Sequence, residues 1–288
     1  MINNLVSIII PSCNEVFLQR TIDDLLLKAR GDIEIIVFLD GYWPNPILKD
    51  DKRITIIHPS IQKGMNFAIN AMSRVAIGKY LMKLDAHCIV GEGFDVILKE
   101  DCEDNWITVP RRYNLEKEDW SRGNKITDYM YITPPNKKPK ENVSLWDRGF
   151  HGARYHIKGR ESYLIDDLMT FQGSCWFMSK KLFEQIDGLD FGYFWHEAQQ
   201  LGNKVWLSGG RVVRNKKTWY AHLHKGKDMG RGYYLSKRKG DEEAKEIIDL
   251  WMNNKWGKQI KKFKWLVDKF LPLSGWSNWN WSNEWNEM

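Results

Sequence analysis

Asp85 and His87 close a run, LMKLDAHCIVGEGF at 81–94, that otherwise reads as a buried strand with glycines after it. Side chains alternate along a strand, so a carboxylate and an imidazole two residues apart point the same way while Ala86 between them turns aside. Such a pair can reach one divalent cation, and a mixed carboxylate and imidazole set suits a manganese-like ion better than the all-oxygen shell that magnesium prefers. Asp-x-His also arises often by chance, so its surroundings decide its meaning. His222 and His224 in AHLHK, and Glu197 in WHEA, are further groups capable of ligation or acid–base work.

The elements that would carry these groups repeat one alternation. VSIIIP (6–11), IEIIVFLD (33–40), RITIIH (53–58) and KYLMKLD (79–85) are short apolar runs, and the stretches 17–28 and 64–76 between them carry apolar residues at helical spacing. This pattern predicts an α/β fold with an open, mostly parallel nucleotide-binding sheet flanked by helices. Ligands of such sheets bind beyond the carboxyl ends of the strands. Pro11, Ser12, Asn14 and Glu15 follow the first strand, Asp40 and Gly41 the second, and Asp85 and His87 the fourth, so all point at one crevice. Lys63, Gly64 and Asn66 open the helix ahead of the metal strand, where N-terminal amides favour anionic groups.

Residues 111–165 change character, with PPNKKPK at 134–140 and few apolar runs, and read as an irregular excursion over the acceptor side. Beyond it, GSCWFMS is strand-like, KKLFEQI helical, FWHEAQQLGNKVWLSGG a helix ending in glycines, and RVVRNKKTWYAHLHK two short strands. The expected organisation is a domain over 1–240, its nucleotide half 1–110 and its acceptor half 111–240, followed by a helical Trp-rich extension over 241–288. In that tail Ile247, Leu250 and Trp251 have amphipathic spacing, and Trp276, Trp279, Trp281 and Trp285 could anchor to the body, bind sugar or mediate self-association.

Composition sets the outer bounds. A chain of 288 residues, 43% hydrophobic and 13% aromatic, can bury one large core or two small ones. Its N-terminal apolar stretches are short and broken by charges, well under the roughly 20 residues of a membrane span, and no secretory leader is visible, which predicts a cytoplasmic enzyme, in the host cytoplasm if viral. Cys13, Cys88, Cys102 and Cys175 are scattered and form no metal or disulfide pattern; they read as small buried fillers. The net charge of +6 is uneven: 211–240 holds ten Lys/Arg against Asp228 alone, a block that is either a solvated face or a phosphate attractor. Arg111, Arg112, Arg148, Arg154, Tyr233, Tyr234, Lys237 and Arg238 would suit a polyanion such as DNA bearing a hydroxylated base, the nucleotide itself, or a glycan.

With GKYLMK before it and Gly93-Phe94 after it, LDAHC resembles the metal-binding signature of GT-A-fold glycosyltransferases. It is most similar to that of the polypeptide N-acetylgalactosaminyltransferases, in which Asp-x-His stands for Asp-x-Asp. The second half agrees in order: Gly173-Ser174 and Phe177, then Gly188-Leu189-Asp190, Trp195-His196-Glu197, Gly209-Gly210 and Ala221-His222-Leu223. The similarity runs over roughly 5–226, and VSIIIPSCNE with IEIIVFLDG is shared with the wider family-2-like enzymes.

The resemblance implies a UDP-sugar-dependent glycosyltransferase, retaining in stereochemistry, with Asp85, His87 and His222 on Mn2+ and His224 as rival third ligand. It places Asp40 near base and ribose and gives Glu197 a catalytic role, by hydrogen bonding to sugar hydroxyls or by placing the acceptor. Pro11, Asn14, Glu15, Lys63, Asn66, Asp85, Ala86 and Trp195 join the donor site, Trp195 by stacking on a sugar face. Lys225, Lys227 and Arg231 would close over the diphosphate as a basic loop. Asn66 stands where the family often has arginine, and His196 fills the position of a glycine, where a 2-acetamido group would sit. Without the lectin appendage and membrane anchor of the animal enzymes, a compact microbial or phage member is expected. The rivals are a nucleotidyltransferase, which would carry a glycine-rich loop where PSCNEVF has no glycine, and a non-catalytic sugar- or nucleic-acid-binding module.

Overall fold

The computed structural model describes residues 1–136, 149–190, 196–225 and 237–281. β1 (Ile2–Ser12) is followed by α1 (Leu18–Lys28) and pairs in parallel with β2 (Ile33–Leu39), which carries β3 (Ile54–Ile57) at the sheet edge. After α2 (Met65–Val75), β4 (Gly78–Leu84) returns to the other side of β1, again in parallel. Alternation assigns the residues of β1 to two cores. Val6, Ile8 and Ile10 pack with Leu18, Ile22 and Leu25 of α1, whereas Ile9 faces the opposite layer with Ala68, Ile69 and Met72 of α2.

β5 (Cys88–Val90), α3 (Phe94–Glu100), β6 (Trp106–Glu116) and β7 (Ser121–Thr127) come next. β8 (Tyr129–Ile132) and β9 (Gly152–Tyr155) form a separate antiparallel pair. They are followed by β10 (Ile165–Asp167), β11 (Cys175–Ser179), α4 (Lys180–Gln185), α5 (Glu197–Leu207), β12 (Arg211–His222), α6 (Lys237–Met252) and α7 (Phe263–Phe270). The main sheet runs β10-β12-β6-β11-β4-β1-β2-β3, with β5 also on β12 and β7 also on β6. β11 is antiparallel to β4, setting Cys175 opposite Leu84. β5, starting one residue after His87, is antiparallel to β12 and sets Cys88 opposite His222. That register carries a histidine from late in the chain to the end of the Asp85 strand.

Three expectations need correction. Residues 111–165 are not irregular: the end of β6 and all of β7, β8, β9 lie there. β7 exposes most of its side chains, so SRGNKIT has no apolar run to betray a strand. RVVRNKKTWYAH is one strand, not two; polar Asn215 and Thr218 are buried, and the register with β6 shifts between Asn215 and Trp219, which absorbs the polar interruption. Cys88 and Cys175 are buried, but Cys13 and Cys102 are only partly so.

The C-terminal segment belongs to the main core. Ile247, Trp251, Phe263, Leu266 and Trp276 share one cluster with Trp206 of α5 and Ile132 of β8. Trp276 donates its indole N–H to the Ile132 carbonyl at 2.5 Å and stacks on Trp281 with centroids 5.5 Å apart. Trp276, Trp279 and Trp281 thus pack on the body, while Trp285 lies outside the described residues.

Candidate active site

β4 ends at Leu84, and the Asp85 N–H donates to Ser174 O at 2.9 Å, which fixes the turn out of the sheet. Asp85 Oδ2 then lies 3.1 Å from His222 Nε2, and His222 Nε2 lies 3.1 Å from His87 Nε2. One ligand atom from each of Asp85, His87 and His222 falls within 4.8 Å of the others. One carboxylate oxygen and two imidazole nitrogens are the donor set of a borderline divalent ion, and the three side chains are half-buried at the mouth of the crevice. β12 ends at His222, and His224 beyond it is exposed and outside this cluster.

Each ligand has a partner behind it. His87 Nδ1 faces Glu15 Oε2 at 2.9 Å, and Lys225 pairs with the same carboxylate. Burial raises the Glu15 carboxyl, but hydrogen bonds and charge from His87 and Lys225 outweigh it and leave it below its ordinary value. Arg112 Nη2 contacts His222 Nδ1 at 3.2 Å. Burial is the largest influence on His222 and pushes it down to about 3, against the pull of Asp85, so the ring is neutral at physiological pH.

Beneath Asp85 sits Lys83, fully buried in β4. Its ammonium donates to Asp85 Oδ1 at 2.6 Å, to Gly173 O at 2.5 Å and to Glu197 Oε2 at 3.3 Å. Burial works against the Asp85 charge, but Lys83 and His222 overcome it and hold the carboxyl well below the usual range. Glu197, the first residue of α5, accepts from Trp176 Nε1 at 2.6 Å through its other oxygen. Burial pushes it up to about 7 despite Lys83 and Trp176.

Glu197, expected to meet sugar hydroxyls, has no exposed surface in this structure. Its two oxygens are engaged by Lys83 and Trp176, and Lys83 links it to Asp85. Asp40, expected near base and ribose, accepts with its two oxygens from the Lys63 and Gly64 N–H groups at 2.6 and 2.9 Å. Those amides hold the loop into α2 and do not face an external anion. Asn66 and Ala86 are buried, Pro11 is partly buried, and Asn14 adopts a left-handed backbone (φ 48°) in the turn after β1. His196 is buried, and burial pushes it down to about 4. Arg111 is committed to Asp128 through two hydrogen bonds of 3.0 and 2.8 Å. Trp195, Lys227, Arg231, Arg148, Tyr233 and Tyr234 lie outside the described residues. Sequence reasoning missed Lys83 and the contact of Arg112 with His222. The signal for Lys83 was present, since a lysine inside the buried run LMKLD needs a counter-charge.

A parallel sheet with an inserted antiparallel strand, and a metal-type cluster at its carboxyl edge, define a GT-A α/β glycosyltransferase architecture. The chain belongs to glycosyl transferase family 2, whose family model matches residues 7–187. It is 25% identical over 232 residues to a Drosophila melanogaster protein described as "Putative polypeptide N-acetylgalactosaminyltransferase 13", covering 72% of this chain and 39% of that relative. Among solved structures it is similar to GalNAc-T7 with UDP, GalNAc and Mn2+ (TM-score 0.62, 14% identity, 86% of this chain and 49% of that one). It is also similar to S. aureus TarS with UDP-GlcNAc (TM-score 0.58, 14% identity, 91% and 69%). The chain thus spans less than half the length of the curated relative it matches. No helix among the described residues is long and apolar enough to cross a membrane.

Proposed function

We propose that this chain transfers a sugar, with retention, from a UDP-activated donor to an acceptor hydroxyl, using a divalent ion, manganese by preference. The observation that carries this reading is the convergence of Asp85, His87 and His222 at the carboxyl edge of the sheet. When bound, the ion would neutralise charge developing on the leaving diphosphate. The chain's own residues orient the ligands: Glu15 turns His87, and Lys83 leaves one Asp85 oxygen directed at the cluster. Lys225, paired with Glu15 beside the cluster, is a cation that could meet the diphosphate. UDP is favoured because the two similar solved structures carry UDP or UDP-GlcNAc. Retention is favoured because Glu197, the acid expected near the acceptor, is buried behind Lys83 and so is not placed as a base for inversion.

For the acceptor, a glycan hydroxyl fits better than a hydroxylated DNA base, since of the cations expected to hold a polyanion Arg111 is paired with Asp128 and Arg112 is buried. The test is a panel of UDP-sugars assayed for hydrolysis with Mn2+ and with excess chelator, followed by proton NMR of the released or transferred sugar. Mn2+-dependent turnover and a product keeping the donor's anomeric configuration are expected. Full activity in chelator refutes the metal assignment, and an inverted product refutes retention.

A further inference from the structure

Away from the metal-type cluster, a cleft of about 360 Å3 opens between the end of β9 with the loop after it and the end of α7. That volume is in the range of small-ligand sites. Tyr155 and Phe270 give the cleft aromatic walls, and Lys158, Arg160 and Lys269 line it against Asp167. β12, 12 residues long, starts at Arg211 beside Asp167 and ends at His222. At about 3.3 Å per residue, the strand puts on the order of 30 Å between the cleft and the cluster.

The charges around the cleft do not cancel. Arg160 Nε donates to Asp166 at 2.7 Å. Asp167 Oδ1 accepts from Arg211 at 2.6 Å and its Oδ2 pairs with Lys269 at 2.7 Å, so both its oxygens are taken. Lys216 donates only to neutral oxygens, the Tyr129 hydroxyl at 2.9 Å and the Arg160 carbonyl at 2.7 Å. Lys158 is exposed and has no ion pair among the described residues, while the exposed Glu161 faces His156 at 3.3 Å. Lys158, Arg160, Arg211, Lys216 and Lys269 therefore outweigh Asp166, Asp167 and Glu161. The Tyr155 hydroxyl, buried in the wall, also has no hydrogen-bond partner among the described residues, so a donor is left over at the cleft.

We propose that this cleft is a saccharide site separate from the catalytic crevice, for a sugar ring that carries a carboxylate. The surplus charge selects an anion, and the Lys269 ammonium keeps donors beyond the one given to Asp167. The aromatic walls suit the apolar face of a sugar ring. A bare anion would leave those walls unused, and a neutral sugar would leave the charge uncompensated. The choice of a saccharide rests on the transferase reading above, under which the cleft holds a distant part of an acidic acceptor and raises its effective concentration at the crevice.

The test is calorimetric titration of the full chain, without donor or metal, at low salt. Trigalacturonate should bind, and its methyl ester and inorganic phosphate should each bind at least ~10-fold more weakly, since hydrogen bonds to charged groups are the strong ones. Its affinity should fall as salt rises. Lys158→Glu changes an exposed residue, and Lys269→Gln leaves Asp167 its bond to Arg211. Each should weaken trigalacturonate roughly tenfold and leave Mn2+-dependent donor hydrolysis unchanged. Equal affinity for the ester overturns the proposal because charge plays no part, and equal affinity for phosphate overturns it because the cleft then holds an anion alone. Absence of trigalacturonate binding, or binding that neither variant weakens, overturns it as well. Absence of donor hydrolysis in wild type counts against the transferase reading, and the titration decides the cleft independently.

Discussion

Replacing Lys83 with methionine tests whether the buried charge bridge supports the site. Lys83 and Glu197 are both fully buried, and Lys83 also holds Asp85 Oδ1 at 2.6 Å. Methionine keeps the length and apolar stem but leaves two carboxylates without their cation. Breaking a buried pair by removing one partner costs about 3–5 kcal/mol, a large share of a typical stability of about 5–15 kcal/mol. Adding Glu197→Gln removes one stranded charge, so the double variant should be at least ~1 kcal/mol more stable than additivity predicts. The sign with pH follows from Glu197, whose value is raised from 4.5 to about 7 in the folded protein. Stability from this group is full below about 4.5 and is lost as pH rises through about 7. Without the ammonium that lowers it, the folded value rises further. The gap between wild type and Lys83→Met should therefore widen between slightly acid and slightly alkaline pH, by at most ~1.4 kcal/mol per pH unit. Urea unfolding of the four proteins of the cycle at two pH values reads all of this. A single variant within ~1 kcal/mol of wild type, or strict additivity, would refute the bridge.

His222→Ala should reduce Mn2+-dependent donor hydrolysis by more than the ~10–100-fold that losing an outer partner of a ligand costs, while His224→Ala, exposed and outside the cluster, should stay within a few-fold of wild type. The reverse pattern in the same assay would move the third ligand to His224. Asp40→Ala frees the Lys63 and Gly64 amides and should cost about 1–3 kcal/mol in urea unfolding. The donor KM should rise with it because the loop into α2 flanks the crevice; unchanged stability and KM would show the clasp to be idle. Trp276→Ala should destabilise the fold by about 3–5 kcal/mol, read by thermal or urea unfolding, since the ring is 2% exposed and its N–H is bonded inside the core. A neutral result would return the tail to the surface.

The first half of the fold was readable because parallel strands buried on both faces are nearly continuous apolar runs: the run expected at 6–11 falls within β1, and those at 33–40 and 79–85 each overrun the end of β2 or β4 by one residue. β7 was not readable, because a largely exposed strand obeys no apolar pattern. Asp85 and His87 stood out as a pair; what held them did not. Glu15 and Arg112 were visible as charged residues, but their aim at the far nitrogens of His87 and His222 depends on β5 pairing with β12, a contact across more than a hundred residues. Glu197 was visible by resemblance, and its burial was not, because every residue of α5 is buried although the helix carries Gln199, Gln200, Asn203 and Lys204. A polar helix sequence suggests a surface; here Lys204 is satisfied inside by Gly188 O and Asp190.

The seating of Trp276 against Ile132 has a consequence for biosynthesis. The indole that closes this core is made 144 positions after the carbonyl it meets. At about 5–20 residues per second, the apolar faces of α5 and β8 wait for several seconds with their covering segment still untranslated. The N-terminal half can fold locally around β1, β2 and β4 during that time, whereas the half that carries His222 reaches its final packing only as the last helices emerge. Ribosome-bound chains halted before α7 should accordingly show a protease-resistant N-terminal half joined to a sensitive remainder. Uniform resistance at that length would mean that the core closes without its tryptophan.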